Sequence, residues 1–202
     1  MGSYDGKVAI VTGAARGLGR VTALAFAREG ARVVLTDIDV AGGEETLDLL
    51  RRAGGEGSFL RSDVRVESDV EEMVAKTVEA YGRLDCAVNN AAIVRFAPLV
   101  EETTESFNLH VDANLRGVFH CMKYEIRQML RNGGGSIVNQ SSITGSLTGN
   151  TSESLYAATK GGVDGLTKSV ALEVAKNNIS VNAIAACGID APGDVFRQWM
   201  EK

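Results

Sequence analysis

With 202 residues, 45% of them hydrophobic and 23% charged, the chain has the composition of one globular domain with a sizeable core, not that of a disordered or fibrous protein. Its net charge of −5, without a basic run or stripe, argues against a nucleic-acid surface, and no apolar segment is long enough to cross a bilayer. Three widely spaced cysteines (Cys86, Cys121, Cys187) and an N-terminus without a signal-like apolar stretch point to a reduced, cytoplasmic chain.

Val8 to Thr12 is short and almost wholly apolar, which predicts a strand buried on both faces. Gly17 to Arg28 has helical periodicity, and Arg32 to Thr36 is a second β-branched run. Glu44 to Ala53 predicts a helix and Gly57 to Arg61 a weaker strand. Ser68 to Tyr81 follows as a helix, with Val70, Met73, Val74 and Thr77 at three- and four-residue spacing. After a strand at Leu84 to Val88, a long helical region covers Thr104 to Leu130 with a break expected near Asn108. Gly133 to Gly135 stop it ahead of a strand at Ser136 to Gln140. Ser154 to Lys176 predicts a further helix and Ile179 to Ala185 a sixth strand. This alternation predicts an α/β, Rossmann-like doubly wound parallel sheet of about six strands, with helices on both faces, in a single domain spanning 1–202.

Between the first strand and the first helix lies Thr12-Gly13-Ala14-Ala15-Arg16-Gly17-Leu18-Gly19. Glycines in such a turn let the chain reverse tightly, let backbone approach a pyrophosphate, and let helix pack close on strand. The helix N-terminus then offers unpaired N–H groups and a partial positive charge to the phosphates. Asp37 ends the second strand, eighteen residues after Gly19. A carboxylate there accepts from adenosine ribose hydroxyls and repels a 2′-phosphate, which favours NAD over NADP; the alternative is a solvated turn carboxylate. Arg16 is the residue that would reach a 2′-phosphate. Asp63, ending the third strand, can meet the adenine edge or serve as a cap.

Tyr156 and Lys160 stand four residues apart on one helix face. A phenol with an ordinary pKa of about 10 needs about three units of lowering, or about 4 kcal/mol, to transfer protons near neutrality. A lysine charge about 5 Å away supplies about 3 kcal/mol at an effective dielectric of about 20. An oxidised nicotinamide, also cationic, would supply the rest.

Taken together with Ser141-Ser142 after the fifth strand, Asn114 in the long helix and Asn89-Asn90-Ala91 after the fourth strand, these residues make the chain resemble the short-chain dehydrogenase/reductase family in its compact single-domain form. The likeness runs from Lys7 to about Pro192, with Thr12-Gly13, Gly17, Gly19, Asp63-Val64, Asn89-Asn90-Ala91, Asn114, Ser142, Tyr156, Lys160 and Val181-Asn182-Ala183 in family order. The resemblance implies an NAD(H)-dependent oxidoreductase that interconverts a small-molecule secondary alcohol and a ketone. Tyr156 would act as acid/base, Ser142 would bond the substrate oxygen, and Lys160 would lower the tyrosine pKa and hold the nicotinamide ribose. Asn114 would extend a proton relay to Lys160 through a water. The implied cofactor contacts are Gly13, Arg16, Gly17, Leu18, Gly19, Asp37, Asp63, Val64, Asn90, Ala91, Tyr156, Lys160 and Ile189.

The chain also departs from the family pattern. Ser142 precedes Tyr156 by fourteen positions, one more than the commonest spacing, which leaves Ser141 as an alternative. Ala92 stands where glycine is usual, Ala186-Cys187 replaces Pro-Gly, and Ala191 replaces a threonine that contacts the nicotinamide amide, so orientation falls to backbone groups such as Ile189. The usual substrate-covering segment and seventh strand are not apparent, which would leave the sixth strand as an exposed edge.

Ala157, Ala158, Gly161, Gly162 and Gly165 line the helix carrying Tyr156 and imply close approach of another element: a second subunit of a homodimer or homotetramer, or this chain's own sheet. His110 and His120 read as packing or surface residues, not metal ligands, and Cys187 as a small core residue. Trp199 would anchor a C-terminal helix or wall a substrate. The functional alternatives are a cofactor-binding pseudoenzyme, and isomerase or dehydratase chemistry at the same site.

Overall fold

Five apolar or β-branched residues in succession, Val8–Thr12, form β1, and every one of them is buried because both faces of the strand are covered. The computed structural model describes residues 2–188. Ile189, Ala191 and Trp199 lie outside the described residues.

The chain continues through α1 (Gly17–Arg28), β2 (Arg32–Asp37), α2 (Val40–Arg52), β3 (Glu56–Arg61), α3 (Glu67–Tyr81) and β4 (Cys86–Asn89). The helical region comprises α4 (Thr104–His110), a π-turn (Val111–Arg116) and α5 (Gly117–Asn132). Then come β5 (Gly135–Ser142), one irregular turn α6 (Ile143–Ser146), α7 (Ser154–Val174) and β6 (Ile179–Ala186).

The strands lie in the order β3-β2-β1-β4-β5-β6, and every neighbouring pair is parallel. The order reverses between β1 and β4, which opens a crevice outside their carboxyl ends. On one face α1 and α2 close over Val11, Val33 and Leu35. On the other, α3, α5 and α7 bring Met73, Met129 and Val163 against Ile10 and Ile137. At roughly 25 cal/mol per Å² of apolar surface removed from water, each such side chain contributes about 1.5–3 kcal/mol. Along β6, Ile179 and Val181 are buried, whereas Ser180, Asn182 and Ile184 are exposed.

Two expectations change. No break occurs near Asn108: α4 runs regularly to His110, and the irregularity is the π-turn that follows, where the helix widens without stopping. Helix α2 starts a turn before the predicted Glu44, because Asp39 caps it by accepting from the Gly42 N–H at 3.1 Å.

Candidate active site

The crevice is a cleft of about 890 Å³ lined by the turns after β1, β2, β3, β4 and β5 and by the first turns of α7. Gly13, Arg16, Gly17, Leu18, Asp37, Asp63, Val64, Asn90, Ala91, Ser142, Tyr156 and Lys160 all line it. Gly19 and Asn114 sit behind the wall and shape it from there.

At the first end, the glycine turn works by what it lacks. Gly13 has φ +66°, and a Cβ there would stand 2.9 Å from both the Asn90 amide nitrogen and the Ala91 Cα. A Cβ on Gly19 would fall on the Gly13 carbonyl oxygen. Gly17, with φ +55°, has no heavy atom within 4 Å of that position, so this part of the turn faces open space. Asn90 locks the loop from β4: its amide donates to the carbonyls of Thr12 (3.0 Å) and Gly13 (3.1 Å). The Thr12 hydroxyl oxygen accepts from the Asn90 and Ala91 N–H groups at 3.0 and 3.1 Å. These residues fit a dinucleotide pyrophosphate, with bare backbone at α1's N-terminus and no side chain in the way.

The Asp37 carboxylate accepts from the Ala15 N–H and the Asp39 N–H, both at 3.0 Å. It is therefore held in place at the lip of the cleft, where part of it remains exposed. Arg16 is exposed and has no ion pair among the described residues, while Arg20 is occupied by Glu45, Thr46 and the Ala15 carbonyl. Asp63 is gripped by the Arg65 guanidinium at 2.6–3.1 Å, and that hydrogen-bonded fork holds its carboxyl below the usual range. The adenine-edge role expected of Asp63 thus has a rival already in contact.

At the second end, buried side chains do the work. Lys160 is almost fully buried, and its ammonium donates to the Gln140 carbonyl of β5 at 2.6 Å. Burial pushes its pKa down to about 8, against the opposing pull of Asp164. The Lys160 Nζ lies 5.6 Å from the centroid of the half-buried Tyr156 ring. Of the two adjacent serines, Ser141 turns toward α7, where its hydroxyl donates to the Lys160 carbonyl at 3.3 Å. Ser142 also lines the cleft and accepts from the Thr144 N–H at 3.2 Å, leaving its own O–H to donate. Both serines line the cleft, but their local bonds differ: the Ser141 hydroxyl ties strand to helix, whereas that of Ser142 caps the turn that follows it.

Asn114 is fully buried, and its amide is spent locally. It accepts from the Ile93 N–H (2.8 Å) and donates to the Ile93 carbonyl (2.9 Å) and the Thr159 hydroxyl (3.2 Å). A water-borne relay from Asn114 would have to leave from its main chain, in the π-turn where regular helical bonding is interrupted. His110 donates from Nδ1 to the Ser106 carbonyl (2.8 Å) and accepts at Nε2 from the Arg95 N–H (3.3 Å), while His120 Nδ1 meets the Val64 carbonyl at 3.0 Å. Both histidines therefore fix loops of the cleft wall.

Some of the small residues of α7 meet neighbours within the chain. Gly145 has φ +100°, and a Cβ there would clash with the Ala157 carbonyl oxygen and stand 3.0 Å from the Gly161 nitrogen. Gly162 faces Leu115 of the π-turn, whereas Gly165 has open space. Cys187 corrects another expectation: it is exposed at the cleft, not a core residue. Sequence reasoning missed a buried polar network behind the site. The Asn89 amide donates to Glu125 and Asn139 (both 3.0 Å), and Asn139 donates to Thr167 (2.9 Å). Burial raises the Glu125 carboxyl to about 7. It also missed Ser146, whose hydroxyl donates to Asp164 and stands 3.2 Å from the Ser141 hydroxyl. Only spacing linked these residues in sequence, and spacing alone does not single them out.

The model of the family described as short chain dehydrogenase matches residues 7–200. The chain is 41% identical to a 3beta-hydroxysteroid dehydrogenase of Mediterraneibacter gnavus, over 95% of this chain and 69% of that protein. It is 42% identical to the 3-oxoacyl-[acyl-carrier-protein] reductase FabG of Thermotoga maritima, over 93% of this chain and 76% of that one. Among solved structures, a variant of actinorhodin polyketide ketoreductase with NADPH superposes with a TM-score of 0.90 at 38% identity, covering 95% of this chain and 74% of its own. No helix among the described residues is long and apolar enough to cross a membrane.

Proposed function

The chain belongs to the short-chain dehydrogenases, and from that premise we propose that it interconverts a secondary alcohol and a ketone with NAD(H) as its preferred cofactor. The observation that carries this reading is the pairing of Tyr156 with the buried ammonium of Lys160 at 5.6 Å, in the cleft that Ser142 also lines. A bound nicotinamide supplies the hydride donor or acceptor. In reduction Tyr156 gives its proton to the carbonyl oxygen, and in oxidation it takes the proton from the hydroxyl. Ser142 donates to the same oxygen and holds it beside the phenol. Lys160, charged below its pKa of about 8, favours the phenolate at neutral pH.

The preference for NAD(H) rests on Asp37, a carboxylate fixed by two backbone N–H groups where an adenosine ribose would lie. The related ketoreductase bound to NADPH makes Arg16 the competing influence, since it is the uncommitted cation of this turn. Exposed Phe107, Phe119 and Leu172 on the helical face support a homodimer or homotetramer, to be read by light scattering.

The test is nicotinamide absorbance across a panel of secondary alcohols and ketones, with both cofactors. Turnover should appear with wild type, fall by about a thousandfold in Tyr156→Phe, and favour NAD(H). Asp37→Ser should narrow or reverse that preference. Cofactor binding without turnover on any member of the panel would overturn the reading.

A further inference from the structure

We propose that Asp164 is a positioning residue of the reacting end: through Ser146 it fastens the turn following Ser142 onto α7, and its carboxylate is the counter-charge for the buried ammonium of Lys160. This rests on the dehydrogenase reading for its purpose, but not for its geometry.

The turn Ile143–Ser146 leaves the end of β5 and settles on α7 at two points. Gly145 presses its backbone against Ala157 and Gly161, so closely that no side chain would fit. One residue later the Ser146 hydroxyl donates to an Asp164 carboxylate oxygen. The Ser146 oxygen is also 3.2 Å from the Ser141 hydroxyl, which donates to the Lys160 carbonyl at 3.3 Å. Asp164 therefore holds Ser146 against Ser141, and Ser141 bonds the backbone of Lys160; with both hydroxyl protons so used, the two serine oxygens meet as a close contact without a proton between them. These contacts close a loop between strand, turn and helix around the residue that holds the substrate oxygen.

The second half concerns charge. The ammonium of Lys160 touches a neutral carbonyl, that of Gln140, and lies buried. Among the described residues, the titratable groups acting around it are Tyr156 and Asp164 of its own helix. Strand β5 contributes the uncharged Gln140 carbonyl. A charge in a poorly solvated place is lost to deprotonation unless an opposite charge offsets the desolvation. Asp164, one helical turn beyond Lys160, is that charge. It keeps the lysine cationic, and the cationic lysine keeps the Tyr156 phenolate accessible.

Two substitutions separate the two roles. Asp164→Asn keeps an oxygen to accept from Ser146 but removes the charge; Ser146→Ala removes the link but keeps the charge. Ultraviolet titration of tyrosinate without cofactor, taken as the difference from Tyr156→Phe, reads the Tyr156 ionisation directly. The midpoint should rise by about half a unit to one unit in Asp164→Asn and stay in place in Ser146→Ala. Amide hydrogen exchange across Ile143–Thr148 should quicken about tenfold in Ser146→Ala and not in Asp164→Asn. Where turnover is measured, the acid limb of kcat/KM for alcohol oxidation should follow the tyrosinate midpoint. An unmoved midpoint in Asp164→Asn overturns the charge role, and unchanged exchange in Ser146→Ala overturns the clamp. Neither measurement needs turnover, so a failure of the dehydrogenase reading would show separately, as an inactive wild type.

Discussion

The two ends of the cleft are built on opposite principles. Around Gly13, Gly17 and Gly19 the structure works by leaving side chains out: the backbone turns at positive φ, Asn90 and Thr12 lock it with hydrogen bonds, and the inner surface stays bare. Around the half-buried Tyr156 it works by burying a charge, the Lys160 ammonium, among polar neighbours, with Ser141, Gln140, Ser146 and Asp164 close by. A bare turn depends on steric room, so a methyl group can ruin it. A buried charge depends on compensation, so it costs stability even when intact.

The sharpest test of this contrast is Lys160→Met. Turnover should fall on the order of a thousandfold, while the folded protein becomes more stable by roughly 3 kcal/mol near neutral pH. The sign follows from the direction of the shift. The folded lysine titrates at about 8 and the unfolded one at 10.5, so the unfolded chain holds a proton that the folded chain has lost between those values. Wild-type stability should therefore rise with pH across that window, and the rise should vanish in the variant. Urea denaturation over the alkaline range measures it; a variant less stable than wild type would break the comparison.

Gly19→Ala tests the other end. The added Cβ meets the Gly13 carbonyl oxygen, so the turn must shift. Cofactor affinity should weaken by roughly a hundredfold, while the Tyr156 titration stays unmoved. Fluorescence titration with NADH measures the first quantity.

The smallest effect on chemistry belongs to Glu125→Gln, behind the site. The Glu125 carboxyl titrates at about 7 in the fold against an ordinary 4.5, so stability is complete below the lower value and is lost as pH rises to the upper one, by about 3 kcal/mol in all. Glutamine should abolish that slope and leave turnover intact. One Glu125 oxygen and the Asn89 side-chain oxygen lack partners, and a neutral amide at position 125 can donate to the latter. Melting temperatures on either side of pH 6 or so would show whether the slope disappears.

How far the residues announced all this follows the same division. The glycine turn was legible because it is local: a strand, three glycines and a helix within one stretch leave little choice of geometry. Tyr156 and Lys160 were legible as an i, i+4 pair for the same reason. The six strands and the two helical layers came through because buried parallel strands write continuous apolar runs, whereas the order β3-β2-β1-β4-β5-β6 is set by long-range pairing that no local run displays. Asp164 with Ser146, and Glu125 with Asn89, were not legible, because no helical or strand spacing marks partners that lie 18 and 36 residues apart. The glycines of α7 signalled a close approach without saying to what: Gly161 meets Gly145 and Gly162 meets Leu115 of the same chain, while Gly165 faces open space. Periodicity also could not separate a broken helix from a widened one, which is why the irregularity expected near Asn108 lies in Val111–Arg116.

That widened turn sets two demands on the chain against each other. Deleting one residue from Val111–Arg116 would restore ordinary helical bonding and ease the local backbone. It would also rotate everything on one side of the cut by about 100° relative to the other. Asn114 could then no longer face both Ile93 and Thr159, and the loop after β4 would lose its anchor. The extra residue is a point of deliberate frustration: the best helix and the working cleft cannot be had from the same register.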